Sequence, residues 1–398
     1  MRVLLFTGKG GVGKTTLAAA TAAAAAAAGI KTLVLSTDPA HSLGDVVGRA
    51  LPAGEVVEVD DGLFALHVDV RGRLDMAWGS LRDTVLRLLD SVAVDAVEAE
   101  EITVLPGAEE VLALLEVRDQ ARSGRFGLLV VDCAPTAETV RLLALPEALE
   151  RYLRRLWPLE GRVLRTLRPA LGRAMLGADP GQLLADLDRL QTELADVRSL
   201  LRDEGTTIRL VLTPEAVVVA EARRTLTTLA LFGYRVDAAI ANRLVPPGAD
   251  PWRSALAAAQ AQQLAQVAAD FAPLPVLSVP YETVEPVGMD SLKTLGQSLY
   301  GDLDPIAELS VVPVSRVEQT DDGYALILPV PLAERATVEL ERIGDDLVVG
   351  VGGQRRIVGL VSALRRCRVV GASLAGGELT VRFVPDPALW PNVNRRQG

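Results

Sequence analysis

The sequence predicts an α/β protein of the doubly wound kind, with a mostly parallel sheet, an inserted helical subdomain and a small all-β sandwich after it. Three observations predict this. Short, continuously apolar runs recur between helical stretches as far as residue 305, a form suited to parallel strands buried on both faces. A glycine-rich loop joins the first run to an alanine-rich helix. Beyond residue 305 the pattern changes to period-two alternation broken by paired turn residues.

The apolar runs are Val3 to Phe6, Thr32 to Ser36, Gly127 to Asp132, Ile208 to Thr213, Asp237 to Asn242 and Pro275 to Val279. Alanine has the highest helix propensity and the smallest side chain, so Ala18 to Ala28 reads as a helix lying close against the sheet, with Gly29 as its stop. That run is shorter than the ~20 residues a bilayer requires, so no integral membrane segment is expected. Two intervals, about 71–123 and 145–204, lack strands and are rich in Leu, Ala, Arg and Glu, as a helical subdomain would be. In the second, Leu149, Leu153, Leu156, Leu164 and Leu171 recur near helical spacing, which favours a packed amphipathic helix over an exposed client groove.

The first domain is therefore placed at 1–306. The later runs "YALILPV", "TVELERI", "LVVGV" and "LTVRFV" are separated by turn signals at Gly344-Asp345-Asp346, Gly352-Gly353 and Gly376-Gly377. They place a β-sandwich at 313–386, followed by a tail at 387–398.

Composition narrows the function. With 398 residues, 49% of them hydrophobic, the chain can bury a large core. A net charge of -10 argues against nucleic acid or an anionic membrane as partner. Cys133 and Cys367 are too few for a disulfide framework or a thiolate zinc site, and both read as buried thiols. The first strand begins at Arg2 and leaves no secretory signal, so a cytoplasmic protein is expected.

The chemistry lies in "GKGGVGKTT", Gly8 to Thr16, between a strand and a helix. Gly8, Gly13, Lys14 and Thr15 satisfy GxxxxGK[ST], the phosphate-binding loop. Gly10, Gly11 and Gly13, with Val12 between them, let backbone amides curl around phosphates, and the following helix points its positive end at the same charge. Lys14 is expected to reach the β- and γ-phosphates, the Thr15 hydroxyl to ligate Mg²⁺, and Thr16 to continue the cradle. Only four of the 41 basic residues are lysines, Lys9, Lys14, Lys31 and Lys293, and two of these sit in this loop. A compact ammonium enters a phosphate cage where a planar guanidinium does not fit. Lys9 lies on the outer arc of the loop, so its charge is expected to act elsewhere than on the same subunit's phosphates.

This loop resembles the deviant Walker A motif of the signature-lysine NTPases, in which the first lysine crosses a homodimer interface to the partner's nucleotide. The resemblance implies a homodimer closed by ATP. Two further stretches, "STDPAHSLGDVVG" (Ser36 to Gly48) and "VVDCAPTAETVRLL" (Val130 to Leu143), resemble switch I and switch II of the arsenite-pump ATPases and of the guided-entry ATPases that deliver tail-anchored membrane proteins. By that resemblance Asp38 positions or deprotonates the attacking water, and Asp132 monitors the γ-phosphate through the Mg²⁺ hydration shell. Asn242 in "IANRLVP" matches the asparagine that reads adenine. The stretch "VPYETVEPVGMDSLKTLG" (Val279 to Gly296), which contains Pro280, resembles the loop that closes over the base. ATP and Mg²⁺ are the implied cofactors. His41 and His67 read as structural residues.

The sequence departs from that family in two respects. It has no CxxC between Asn242 and Pro280, so no zinc clamp at a dimer interface is expected, and two distant cysteines cannot hold arsenite. The C-terminal unit resembles the α-crystallin domain of small heat-shock proteins, without an I-x-I tail motif. The expectation is Mg-dependent ATP hydrolysis that opens and closes a homodimer to handle a hydrophobic or tail-anchored protein client. The alternative is a partitioning or positioning ATPase, for which no basic DNA surface or amphipathic membrane helix is evident. A metal-cluster scaffold lacks the cysteines.

Overall fold

The structure is a computed structural model that describes residues 1–38, 42–69, 72, 108–133, 180–310 and 313–389. Eight strands form the large sheet: β1 (Arg2–Gly8), β2 (Thr32–Ser36), β3 (Val57–Asp60), β4 (Leu63–His67), β5 (Leu128–Asp132), β6 (Thr206–Leu212), β7 (Val236–Leu244) and β8 (Val276–Pro280). Their order is β3-β4-β2-β5-β1-β6-β7-β8. Pairing is parallel between β1 and β5, β2 and β5, β2 and β4, β6 and β7, and β7 and β8. Strand β3 runs antiparallel against β4, and it lies outside the expected strands. All five residues of β2 and of β5 are buried, as two-sided cover requires.

The described helices that accompany this sheet are α1 (Lys14–Ala27), α2 (Ser42–Val47), α3 (Ala108–Arg122), α4 (Pro180–Arg202), α5 (Ala216–Leu231), α6 (Pro251–Phe271) and α7 (Met289–Tyr300). The chain divides into two compact units, 1–206 with 282–307, and 207–281 with 308–398.

In the first unit, α7 packs on α1 at close range. A Cβ added to Gly296 would lie 2.5 Å from the carbonyl oxygen of Ala20 and 2.9 Å from the Ala24 methyl. Small residues on both helices permit this approach, and Ala18, Ala19, Ala20, Ala22, Ala23 and Ala25 are all buried. The Thr21 and Tyr300 hydroxyls share a hydrogen bond of 2.7 Å in the same seam, and Lys293 of α7 pairs with Asp60 at the end of β3. The amide of Gly288, just before α7, donates to Val46 O of α2 at 2.9 Å.

Helices α3 and α4 are described parts of the two strand-free intervals. Leu112, Leu114, Leu115 and Val117 of α3 are buried, as are Leu194, Val197 and Leu201 of α4, and Arg122 pairs with Asp196 at 2.8 Å. The leucine stripe from Leu149 to Leu171, and His41, lie outside the described residues.

The second unit carries the sandwich. Its strands are β9 (Arg316–Thr320), β10 (Gly323–Pro329), β11 (Val338–Ile343), β12 (Asp346–Val351), β13 (Gln354–Gly359), β14 (Cys367–Ala375) and β15 (Glu378–Pro385), with one helical turn, α8 (Ser362–Arg365). A four-stranded sheet, β14-β15-β10-β9, faces a three-stranded one, β11-β12-β13. The three turn signals read from the sequence close the β11–β12, β12–β13 and β14–β15 hairpins. Leu328, Val349, Val381 and Phe383 fill the core together with Leu231, the last residue of α5. Two polar contacts seal that seam: the Thr227 hydroxyl donates to Pro331 O, and the buried Arg356 guanidinium donates to Leu231 O. The arginine thereby serves one of the carbonyls that a helix leaves without a partner at its C-terminus.

Among the described residues no helix is long and apolar enough to cross a membrane. Cys133 and Cys367 are both free thiols and both buried.

A candidate active site of phosphate loop and switch carboxylates

Strand β1 ends at Gly8 and α1 begins at Lys14, so the five residues between them form the loop. Gly13 is the N-cap of α1 with φ 93°, a left-handed value that other residues adopt only with strain. No side chain caps the helix, so its first amides remain donors to an outside acceptor. A Cβ on Gly10 or Gly11 would meet no atom of the chain within 4 Å, while Val12 is buried and anchors the loop. Lys14 is also buried, and its Nζ donates to Lys9 O at 3.4 Å across the loop. Lys9 and Thr16 are half-buried.

The carboxyl ends of β2 and β5 bring the next residues beside this loop, because Ser36 pairs in register with Asp132. Asp132 is fully buried. Its Oδ2 accepts from the Thr15 hydroxyl at 2.8 Å and from the Ser36 hydroxyl at 3.0 Å. Thr15 Oγ1 also lies 3.2 Å from Ser42 Oγ, the first residue of α2. The Asp38 amide donates to Ser36 Oγ at 3.2 Å. Burial pushes the Asp132 carboxyl up to about 6; hydrogen bonds from Thr15 and Ser36 and the charge of Lys14 oppose the rise, and Asp38 adds to it. Burial likewise pushes up the Cys133 thiol, which leaves it an inert neighbour.

Lys9, Lys14, Thr15, Asp38 and Asp132 thus converge on one place in the first unit. Asn242 and Pro280 belong to the second. Asn242 is buried on β7, and its Oδ1 accepts from the amide of Arg243 at 2.9 Å. Arg243 has φ 60°, a rare value for a side-chain-bearing residue, at the point where the β7–β8 register shifts. Pro280 ends β8. His67, read as structural, is buried at the end of β4 beside Ser36. Two residues near the carboxylate, Ser36 and Ser42, carry no role in the sequence reading. Both stand inside the "STDPAHS" stretch, and the signal for them was their place flanking Asp38.

The residues fit a magnesium nucleotide. Asp132 Oδ1 is buried with no hydrogen-bond partner, beside a hydroxyl suited to a hard cation. A buried ammonium and uncapped helix amides stand ready for anionic oxygen. A loop of this kind, at the carboxyl ends of strands in a doubly wound sheet, defines the class of P-loop nucleoside triphosphatases.

Residues 1–301 match the family described as Anion-transporting ATPase, and residues 321–383 match the HSP20-like domain found in ArsA. The chain belongs to that ATPase family, and it is an ATPase. It is similar to Protein Rv2184c of Mycobacterium tuberculosis, at 38% identity over 98% of this chain and 97% of that one. It is also similar to a Putative arsenical pump-driving ATPase of Chlorobaculum tepidum, at 34% over 92% and 91%. With ATPase GET3 of Podospora anserina it shares 29% identity over 63% of this chain and 76% of that one.

Proposed function

We propose that the chain hydrolyses ATP with Mg²⁺ and uses the cycle to open and close a homodimer that binds, chaperones or targets a hydrophobic protein client. The observation that carries the hydrolytic part is the contact of Thr15 with Asp132, because it joins the phosphate loop to a carboxylate with one unused oxygen. In this reading Thr15 and Asp132 hold Mg²⁺, directly and through its water shell. Bound magnesium supplies neutralisation of phosphate charge. Lys14 and the amides from Gly8 through Thr16 hold the β- and γ-phosphates, and Asp38 orients or deprotonates the attacking water. Asn242 and Pro280 are assigned to the adenine. The assignment of 1–306 to the ATPase with a helical subdomain, and of 313–386 to a sandwich for apolar polypeptide, completes the reading.

Lys9 supports the dimer. It is one of only four lysines, it lies half-exposed on the loop, and its carbonyl already receives Lys14 of the same subunit. Its ammonium is assigned to the partner's nucleotide. A role in driving an arsenical pump, as the Chlorobaculum relative's name states for that protein, finds little support here: a soft metalloid needs several thiolates, and both cysteines are buried.

The test is a pair of variants of the full chain. Asp38→Asn should bind ATP with turnover reduced by about 100-fold or more. Lys9→Ala should bind ATP as a monomer yet show no ATP-dependent rise in mass by light scattering. Unchanged hydrolysis in the first, or an unchanged rise in mass in the second, removes the corresponding role.

A further inference from the structure

Ser36 ends β2 and is fully buried. Its one hydroxyl sits between the two acidic residues of the proposed site, donating to Asp132 Oδ2 at 3.0 Å and accepting from the Asp38 amide at 3.2 Å. Chemistry fixes both directions. An ionised carboxylate only accepts and an amide N–H only donates, so the hydroxyl proton goes to Asp132 and a lone pair serves Asp38.

The backbone reinforces the arrangement. Ser36 and Asp132 are register partners across β2 and β5, and the Thr37 amide donates to Asp132 O at 3.0 Å. The bond from Asp38 to Ser36 spans residues i and i+2, the hydroxyl turn that sets how a chain leaves a strand. Alanine at this position would remove both bonds. Asp132 Oδ2 would keep only Thr15 of its two hydroxyl donors, and the Asp38 amide would lose its serine acceptor.

We infer that Ser36 is a positioning residue for hydrolysis: its hydroxyl ties the Asp132 carboxylate to the Asp38 backbone, so that the metal-facing and water-facing acids keep one fixed relation. This rests on the roles given above to Asp38 and Asp132. A serine that only packs β2 would leave turnover unchanged when its oxygen is removed, which makes the two roles separable.

The experiment compares the full-length Ser36→Ala, Ser36→Cys, Asp38→Asn and Ser36→Ala/Asp38→Asn proteins in steady-state ATP hydrolysis, with Mg²⁺ titrations and thermal melting. Ser36→Ala should keep its KM for ATP while kcat falls about 10- to 100-fold. The double variant should fall by clearly less than the product of the two single factors, because a carboxylate that has been removed gains nothing from being positioned. Wild-type kcat in Ser36→Ala, or full multiplicativity in the double variant, overturns the inference. Should Ser36→Ala fail to fold, Ser36→Cys, slightly larger and a much weaker hydrogen-bonding group, carries the same comparison: a lower kcat at constant KM supports the role, and a wild-type kcat ends it. If Asp38→Asn itself turns over normally, the reading of Asp38 falls, and the Asp132 arm is judged alone. The Mg²⁺ concentration for half-maximal rate then rises in Ser36→Ala if the inference holds and stays constant if it does not.

Discussion

The Thr15 hydroxyl donates to Asp132 Oδ2 at 2.8 Å, joining the first turn of the phosphate-loop helix to a strand end 117 residues further along the chain. The bond uses one carboxylate oxygen and leaves Oδ1 without a hydrogen-bond partner in a buried place. Asp132→Asn keeps the shape and removes the charge. Steady-state phosphate release in that variant should fall about 10- to 100-fold, with a higher Mg²⁺ requirement and a fold close to wild type by circular dichroism. Wild-type Mg²⁺ dependence would detach Asp132 from the metal.

The same carboxyl sets a pH dependence. Its ordinary value is near 3.8 and burial raises it to about 6 in the folded protein. Between these values the folded state holds a proton that the unfolded state releases. The stabilising contribution is therefore complete below pH 3.8 and is lost as pH rises through about 6, a change of about 3 kcal/mol. Asparagine does not titrate, so nucleotide-free Asp132→Asn should gain stability relative to wild type from pH 4 to pH 7 in urea melts; parallel profiles would contradict the burial argument. A proton on Asp132 also competes with Mg²⁺, so the half-saturating Mg²⁺ concentration should rise as pH falls below about 6.

Gly296 faces the Ala20 carbonyl and the Ala24 methyl, and a side chain there has nowhere to go except into backbone. Gly296→Val should destabilise the protein by about 1 to 3 kcal/mol through overpacking, measured by chemical denaturation. Gly10→Ala is the contrast, because its Cβ meets nothing within 4 Å. Its melting should stay near wild type.

Leu231 closes α5 and sits fully buried in the sandwich core. Leu231→Ala should cost about 2 to 5 kcal/mol. Followed by hydrogen exchange, the loss of protection should appear in β6 and β7 as well as in β10 and β15. Protection lost in the sandwich alone would mean that the seam with α5 carries little of the unit's stability.

Several of these features were legible in the sequence. β1, β2, β5 and β6 through β8 announce themselves because strands covered on both faces need unbroken apolar runs. β3 does not, since it is a four-residue antiparallel edge with no fully buried position. The turn residues Asp61 and Gly62 before β4 were the available clue. β9 is exposed at all five residues and so shows no alternation. The phosphate loop is contiguous and can be read directly. The Ser36–Asp132 contact depends on the register of segments 96 residues apart, which no local pattern encodes. For the same reason nothing in the sequence of α5 marks Leu231 as belonging to the sandwich: an apolar helix end looks alike whichever core receives it.

The packing of α7 on α1 has a consequence for synthesis on the ribosome. Residues 14–27 are translated well before the helix that covers them, with Gly296 against Ala20 and Tyr300 against Thr21, because that helix is complete only when the chain has reached residue 300. At ordinary elongation rates that interval is on the order of tens of seconds. During it the most alanine-rich helix of the nascent chain has one side bare, and the Lys293–Asp60 pair cannot form. Helix α1 is thus translated long before it receives its full support.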